Sequence, residues 1–221
     1  MSREALVLRP EPGNARTSDA LRQAGWIAHC LPLFEVMALP WAVPDPTRYD
    51  ALLLTSANAV RHGGSGLDQL RTLPVVAVGQ ATAAAARDAR FRVTIVGSSG
   101  VTAAVAAAGS MKRLLHLGGR HHVSVPGVDA LAVYTSEAVA VPAGALAGYD
   151  APTALLHSVR AAERLEHLAA RDGVARSAWC IAALSPAIAK AAGEGWGRIQ
   201  VAQKPSDAAL LALLRRDGRA D

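Results

Sequence analysis

The feature that most constrains the fold of this chain is an internal duplication of an alternating strand and helix pattern. One copy begins at Tyr49-Asp50-Ala51 and the other at Tyr149-Asp150-Ala151, about a hundred residues further on. In each copy a short apolar run leads to a serine, Ser56 in the first and Ser158 in the second. Matching apolar runs and helical segments follow in the same order. A unit of this length is a lobe and not the repeat of a solenoid.

Strands that alternate with helices predict parallel sheets with helices on both faces. The middle of the chain contains enough strands for a complete sheet, whereas the C-terminal copy has three strands and the N-terminal segment supplies two more. We therefore expect an α/β protein of two similar lobes, the first formed by residues 1–37 plus 139–221 and the second, inserted lobe by residues 38–138. Two connectors then cross between the lobes, a hinge geometry with a ligand-binding cleft between them.

Composition restricts the partners of the protein. The chain carries a net charge of +5 and has a pI near 9.8, which favours anionic partners. Its basic residues are scattered and have no aromatic residues interleaved with them, so we expect no nucleic-acid binding. No apolar run approaches the ~18 residues of a membrane span, and no signal-peptide pattern precedes the first strand. We expect a cytoplasmic protein that does not contact a membrane.

Sequence motifs for cofactors and metals are missing from the chain. The first strand-to-helix turn lacks the glycine pattern of dinucleotide-binding folds, and there is no phosphate-binding P-loop. The pair His121-His122 is more typical of a loop surface than of a metal site. Cys30 and Cys180 lie in apolar runs, which favours two buried thiols in a reducing compartment over a disulfide. We predict no cofactor and no metal.

Candidate binding residues follow the predicted strands. Ligands of open α/β sheets bind at the carboxyl ends of the strands, where backbone N–H groups and the dipoles of the following helices also point. Small, hydroxyl-bearing, amide or basic residues at these positions suit a ligand with carboxylates or phosphates. The set is Arg9, Thr55, Ser56, Asn58, Gly79, Gln80, Thr82, Arg120, Ser158, Ser185 and Lys204.

Each of these residues also has a purely structural interpretation. Serine, threonine and asparagine are common helix N-caps, and glycine is common in turns; Arg9 could equally be a surface arginine. By the same rule Asn14 is expected to cap a helix that ends near residue 24. The recurrence of such turns, including Gly97-Ser98-Ser99-Gly100, favours a binding site for the set as a whole. No Ser–His–Asp arrangement and no carboxylate pair stands out.

Several of these segments, in this order, resemble the uroporphyrinogen-III synthase family over nearly the whole chain. Two departures are visible: the region 118–134 is short, and Leu184-Ser185-Pro186 stands where many members have a Gly-x-x-Thr turn. The segments that carry the resemblance are Leu8-Arg9-Pro10, Leu31-Pro32-Leu33, Asp50-Ala51, Thr55-Ser56-Ala57-Asn58-Ala59-Val60, Ala77-Val78-Gly79-Gln80-Ala81-Thr82, Val133-Tyr134 and Leu184-Ser185-Pro186 to Gly195-Trp196.

The resemblance implies two α/β lobes joined by a two-stranded linker. It also implies an enzyme of tetrapyrrole biosynthesis that cyclises hydroxymethylbilane, a linear tetrapyrrole with eight carboxylates, to uroporphyrinogen III. The reaction loses water and inverts ring D through a spiro intermediate. Tyr134 matches a tyrosine that the family carries near the linker and is the candidate to assist departure of hydroxide; the alternative is a tyrosine that only packs there.

We further expect a monomer that makes transient contact with the upstream enzyme that forms the bilane. The alternative function, from a different class, is a non-catalytic two-lobed protein that binds or senses a small anion. The absence of a signal peptide and of an aromatic pair lining the lobes favours the enzyme.

Overall fold

The structure, a computed structural model, describes residues 3–97 and 100–217. Short strands alternate with helices over most of this range. The elements are β1 (Glu4–Val7), α1 (Gly13–Gln23), β2 (Ile27–Cys30), β3 (Phe34–Ala38), β4 (Ala51–Leu54), α2 (Ala57–His62), β5 (Val75–Val78), α3 (Gln80–Asp88), β6 (Val93–Gly97), α4 (Val101–Ala107), β7 (Leu114–Gly119), β8 (Asp129–Ala138), β9 (Thr153–Leu156), α5 (Val159–Arg171), β10 (Cys180–Ala183), α6 (Pro186–Ala191), β11 (Arg198–Val201) and α7 (Asp207–Asp217). The alternation is interrupted where β2 is followed directly by β3, and β7 by β8 and β9.

The chain divides into two compact units. Unit 1 consists of Met1–Glu35 and Ala138–Asp221, and unit 2 consists of Val36–Glu137. The chain passes from one unit to the other within β3 and returns within β8, and these two strands are neighbours in one sheet. Unit 1 is therefore built from both ends of the chain and unit 2 from its middle.

Unit 1 contains a parallel sheet of order β11-β10-β9-β1-β2. The interior strand β1 is buried on both faces: Leu6, together with Leu8 directly after the strand, packs with residues of α5 and α6, and Ala5 and Val7 pack with residues of α1 and α7. A parallel sheet covered on both faces requires such continuous apolar strands, because neither side of the strand meets water.

Unit 2 contains a sheet of order β3-β8-β7-β4-β5-β6, in which the strands from β8 to β6 pair in parallel. Residues of α2 and α3 cover one face and residues of α4 cover the other. The order β4-β5-β6 matches β9-β10-β11 of unit 1, and β7 and β8 stand where unit 1 has β1 and β2. The predicted fold class, parallel sheets flanked by helices, is confirmed.

The apolar stretch at 27–34 does not form one continuous strand: β2 ends at Cys30 and β3 begins at Phe34. Pairing in register with β1 ends at Cys30. Pro32 follows and has no N–H to donate to a ladder. The chain then resumes as β3 next to β8 in the other sheet. The regular ladder with β1 thus ends before the proline, and the N–H of Leu33 still donates to the carbonyl of Leu8 at 3.1 Å before the chain passes to unit 2.

Asn14 does not cap α1, contrary to the sequence prediction. The helix begins one residue before it, without a side-chain capping bond. Asn14 is fully buried, and its side-chain nitrogen donates to the carbonyls of Val7 at 2.7 Å and Arg9 at 2.9 Å. Ser18 donates to its side-chain oxygen at 3.2 Å. Asn14 therefore fastens α1 to the end of β1.

The prediction that both cysteines are buried is wrong for Cys30. This residue lies in β2, an edge strand, so its side chain is exposed; it donates from Sγ to Ser18 Oγ at 3.2 Å. Cys180 is half-buried, and both thiols are free. Within the described ranges no helix is long and apolar enough to cross a membrane.

Replacing Asn14 with leucine, which is similar in size, should lower the free energy of unfolding by about 2–4 kcal/mol, because two buried carbonyls lose their donor. Gln23→Leu is the matched control, since Gln23 is exposed on the same helix and its substitution should change stability by less than about 0.5 kcal/mol. Urea unfolding at neutral pH measures both. Equal stability of the two variants would contradict the role assigned to Asn14.

Candidate functional site

The residues predicted to bind the ligand all lie where the parallel strands end. We call these positions the carboxyl edges of unit 1 and unit 2. The edge of unit 1 carries Arg9, Ser158, Ser185 and Lys204, which follow β1, β9, β10 and β11. Ser98 and Ser99 lie outside the described residues. The edge of unit 2 carries Thr55, Ser56, Asn58, Gly79, Gln80, Thr82, Arg120 and the strand residue Tyr134.

Three serines at these edges cap helices. Ser56 Oγ accepts from the N–H of Asn58 at 3.1 Å, Ser158 Oγ from Ala161 at 3.2 Å, and Ser185 Oγ from a backbone N–H in the first turn of α6 at 3.4 Å. A serine cap stabilises a helix by about 1 kcal/mol. The cap uses the oxygen as an acceptor and leaves the hydroxyl hydrogen available to donate to an anion. The structural role and a binding role are therefore compatible.

The turn after β5 offers less to a ligand than the sequence implies. Gly79 is the residue before α3 and has a φ of +84°, a conformation that glycine adopts without strain. Gln80 follows it and is exposed, but Thr82 is 5% exposed and lies within the helix–sheet packing. Gln80 is therefore the accessible side chain of this turn.

Thr55, at the end of β4, is bonded to a histidine that sequence reasoning did not select. Its hydroxyl and Nε2 of His116 share a hydrogen bond of 2.9 Å. His116 is 2% exposed, and its ring meets that of His122 edge-on at 5.3 Å between centroids. Burial, together with the neighbouring His122, lowers the pKa of His116 to about 4. The imidazole is therefore neutral at neutral pH and fixes the position of the Thr55 hydroxyl.

Tyr134 is a half-buried residue of β8 that lies next to the carboxyl end of β7. Its strand pairs with β7 so that Tyr134 stands opposite Gly119, and its carbonyl accepts from the N–H of Arg120 at 2.9 Å. The Arg120 guanidinium lies 3.5 Å from Glu137, so its charge is partly compensated. The ring of His62 lies 6.3 Å from the tyrosine ring. Burial, with a contribution from Arg61, lowers the pKa of His62.

The carboxyl edge of unit 1 holds an arginine that is already paired. Arg9 forms an ion pair of 2.5 Å with Asp207, the first residue of α7, and its guanidinium also donates to Thr17 at 3.4 Å. Nε2 of His157, directly before Ser158, lies 3.4 Å from the same carboxylate, an electrostatic contact without hydrogen-bond geometry. His157 and Arg9 hold the pKa of Asp207 well below its ordinary range, and burial lowers the pKa of His157.

Lys204 differs from the two arginines. It is exposed in the turn between β11 and α7, and no carboxylate of the described residues lies within ion-pair distance of it. Of the three cations predicted to bind the ligand, Lys204 is thus the one whose charge is uncompensated. A ligand carboxylate can meet Lys204 without competing with a protein carboxylate.

A cavity of about 310 Å³ lies at the opposite edge of the sheet in unit 2. It is lined by residues that precede or begin strands, among them Arg48, Tyr49, Lys112, Arg113 and Asp129. Its position at the amino ends separates it from the candidate edge. Across the described part of the chain, no group of three or more histidine, cysteine, aspartate or glutamate side chains is placed to hold a metal.

Sequence analysis did not select four of the titratable groups near the candidate residues. They are His62, His116, His157 and Asp207. A weak signal existed for two of them. His116 is a single imidazole in the apolar run of β7, and His157 occupies the position that Thr55 holds in the other copy of the duplication. Asp207 gave no local signal, since its partner Arg9 is almost the whole chain away.

Replacement of His116 with glutamine should flatten the pH dependence of stability between pH 6.5 and about 4. The unfolded chain protonates this histidine near pH 6.5, whereas the folded protein resists protonation down to about 4. In this window the unfolded state binds more protons, so the wild-type free energy of unfolding falls as the pH falls, by at most about 3 kcal/mol from this residue. Urea unfolding from pH 7.5 to 4 measures the two slopes. Identical slopes would contradict burial of a neutral imidazole.

Comparison with known proteins identifies the family. The family model described as Uroporphyrinogen-III synthase HemD matches residues 15–212. The uroporphyrinogen-III synthetase of Helicobacter pylori 26695 has a similar solved structure, with 18% identity and a TM-score of 0.66 over 96% of this chain and 98% of that one.

A second solved structure, a mutant uroporphyrinogen III synthase of the extremely thermophilic bacterium Thermus thermophilus, has 16% identity and a TM-score of 0.56 over 98% of this chain and 99% of that one. At such identities these likenesses show the fold. No curated protein sequence matches the chain. The match of the family model over most of the chain decides the assignment: the chain belongs to the uroporphyrinogen-III synthase family, whose members cyclise hydroxymethylbilane.

Proposed function

We propose that the two carboxyl edges perform the family's reaction, the cyclisation of hydroxymethylbilane to uroporphyrinogen III with loss of water and inversion of ring D. The observation that carries this proposal is the position of Tyr134. A half-buried phenol stands at the carboxyl edge of unit 2, and the same edge carries the serine-capped N-terminus of α2, which suits carboxylates. Family membership favours this enzymatic function over a non-catalytic anion-binding protein.

The reaction depends more on control of which carbon is attacked than on a lower barrier to loss of the hydroxyl. Loss of the hydroxyl is assisted by the pyrrole nitrogen, whose electron pair moves into the ring as the C–O bond breaks and yields an azafulvene. Without an enzyme the azafulvene closes to the uninverted type I isomer. The enzyme must instead direct attack to the substituted α-carbon of ring D, which gives the spiro intermediate. Fixing that geometry is catalysis by orientation.

Tyr134 is the proton donor in this proposal. Its O–H gives a proton to the departing hydroxyl, which leaves as water. The resulting tyrosinate accepts the proton that the pyrrole nitrogen releases when the azafulvene forms, so the residue is regenerated and no other reactant is needed. Because burial lowers the pKa of both His116 and His157, neither imidazole carries the proton at neutral pH. We therefore assign the proton to the phenol of Tyr134.

In this proposal, capping hydroxyls, helix N-termini and basic side chains bind carboxylates of the substrate. The hydroxyls of Ser56, Ser158 and Ser185 can donate to carboxylates while they cap their helices. The N-termini of these helices add positive dipole ends. Lys204 supplies a full charge, and Arg9 and Arg120 supply charges that Asp207 and Glu137 already moderate. Gly79 and Gln80 extend the same lining.

We also propose that the protein acts as a monomer in the cytoplasm and receives the bilane by transient contact with the enzyme that forms it. Two free cysteines suit a reducing compartment. A transient contact would shorten the time that the bilane spends free in solution, where it closes to the wrong isomer.

Tyr134→Phe should lower kcat by up to about 100-fold, the range expected for loss of a general acid, with a smaller change in KM. The phenyl ring keeps the packing, so the loss reports on the hydroxyl. An assay that generates the bilane and separates type I from type III product measures the effect. Thr82→Ala is the control, because Thr82 is buried in the helix packing and should affect kcat less. Full activity of Tyr134→Phe would remove the tyrosine from the mechanism.

Lys204→Glu should raise KM several-fold at low salt, and the difference from wild type should shrink at high salt, because screening weakens exposed charge pairs. Type I product should increase as bilane escapes. The matched control is Lys190→Glu, another exposed lysine of unit 1, which lies in the last turn of α6. We expect its KM to stay near the wild-type value. Equal effects of the two reversals would argue for a general charge effect and against a carboxylate contact at Lys204.

A further inference from the structure

The ring of Tyr134 has two described neighbours with no assigned function, Gly119 and His62. We call them the ring support. Gly119 is the last residue of β7 and stands opposite Tyr134 in the register of β7 and β8. His62 is the last residue of α2. Both belong to unit 2, as does Tyr134.

Gly119 allows the tyrosine ring to lie against the backbone of β7. A Cβ on this residue would lie 2.8 Å from Cε2 and Cζ of Tyr134 and 3.1 Å from its hydroxyl oxygen. Carbon atoms that are not bonded to each other do not approach to 2.8 Å. The missing side chain therefore makes the observed position of the ring accessible, and the atoms affected are those at the reactive end of the tyrosine.

The backbones of both residues are held in place. The carbonyl of Gly119 accepts from the N–H of His122 at 3.0 Å and shares a contact of 2.8 Å with His122 Nδ1. The carbonyl of Tyr134 accepts from the N–H of Arg120 at 2.9 Å. A methyl group on Gly119 would thus meet the side chain of Tyr134, while the backbones of both residues stay fixed. The tyrosine ring would therefore be displaced together with its hydroxyl, while the fold is retained.

His62 supports the same ring from α2. The centroids of the two rings lie 6.3 Å apart with an angle of 39° between the planes, within the range of aromatic contacts. The contact depends on a flat ring of this size and not on a charge. Phenylalanine can therefore replace the imidazole as a neighbour, whereas alanine cannot.

We propose that Gly119 and His62 are positioning residues of the reaction, which place the Tyr134 hydroxyl where it can donate its proton to the departing hydroxyl of the substrate. This inference rests on the proposed role of Tyr134 as the proton donor. Proton transfer needs donor and acceptor within about 2.6–3.2 Å, and a misplacement of about 1 Å can cost 100-fold in rate. A methyl group at Gly119 produces a displacement of this order.

Gly119→Ala is the first test. We expect kcat to fall by roughly 10- to 100-fold with little change in KM, and the share of type I product to rise. Gly148→Ala is the matched control, because a Cβ at Gly148 meets no atom within 4 Å and its backbone does not need glycine. The control should keep wild-type kcat and KM. A wild-type kcat for a folded Gly119→Ala would overturn the role of Gly119.

The double variant Gly119→Ala/Tyr134→Phe separates positioning of the hydroxyl from a general structural effect. If Gly119 acts through the Tyr134 hydroxyl, the methyl group should cause no further loss of kcat once that hydroxyl is absent. Full additivity of the two changes would overturn the inference. A fully active Tyr134→Phe would overturn the role of Tyr134 itself, whereas an impaired Tyr134→Phe with a fully active Gly119→Ala would overturn only the positioning role.

If Gly119→Ala does not fold, the His62 variants test whether the neighbours of the Tyr134 ring position its hydroxyl. His62→Ala should lower kcat by about tenfold, and His62→Phe should restore most of it, because the phenyl ring provides the same contact area. Far-UV circular dichroism and thermal unfolding establish that each variant is folded. Equal activity of His62→Ala and His62→Phe would contradict support of the tyrosine ring by His62.

Discussion

The parallel pairing of β1 with β9 is the interaction on which unit 1 depends. It joins Ala5 to Thr153 and Val7 to Leu155, so the two ends of the chain share one sheet. Ala5, Leu6 and Val7 of β1 are fully buried, and removing this apolar area from water stabilises the unit. The same pairing aligns the ends of the two strands, which brings Arg9 and His157 to the carboxylate of Asp207.

The two carboxyl edges differ in their chemistry although the units share a topology. At the edge of unit 1 the polar network is ionic, with Arg9 and Asp207 paired before any ligand binds. At the edge of unit 2 the network contains neutral imidazoles around Thr55 and Tyr134. At the edge of unit 1 a ligand carboxylate therefore has Lys204 as a cation with no carboxylate of the described residues nearby, and in the partly buried edge of unit 2 the low local dielectric strengthens hydrogen bonds.

The Tyr134 ring occupies space that is available because Gly119 has no side chain. The neutral ring of His62 contacts the tyrosine ring without adding a charge. If Tyr134 is the proton donor as proposed, adding a methyl group at Gly119 impairs the reaction as removal of the phenol hydroxyl does. In that case the site requires glycine at position 119 and an aromatic ring at position 62, although neither residue type is unusual.

The sequence alone determined the duplication, the α/β class and the location of the candidate residues after strands, because apolar periodicity and turn residues are local properties of the chain. It did not predict that Asn14 fastens a strand instead of capping a helix, or that Cys30 is exposed on an edge strand. The ion pair of Arg9 with Asp207 and the bond of Thr55 to His116 join residues 198 and 61 positions apart. Only the tertiary structure decides such contacts, because strand register and helix packing place side chains together that no local pattern relates.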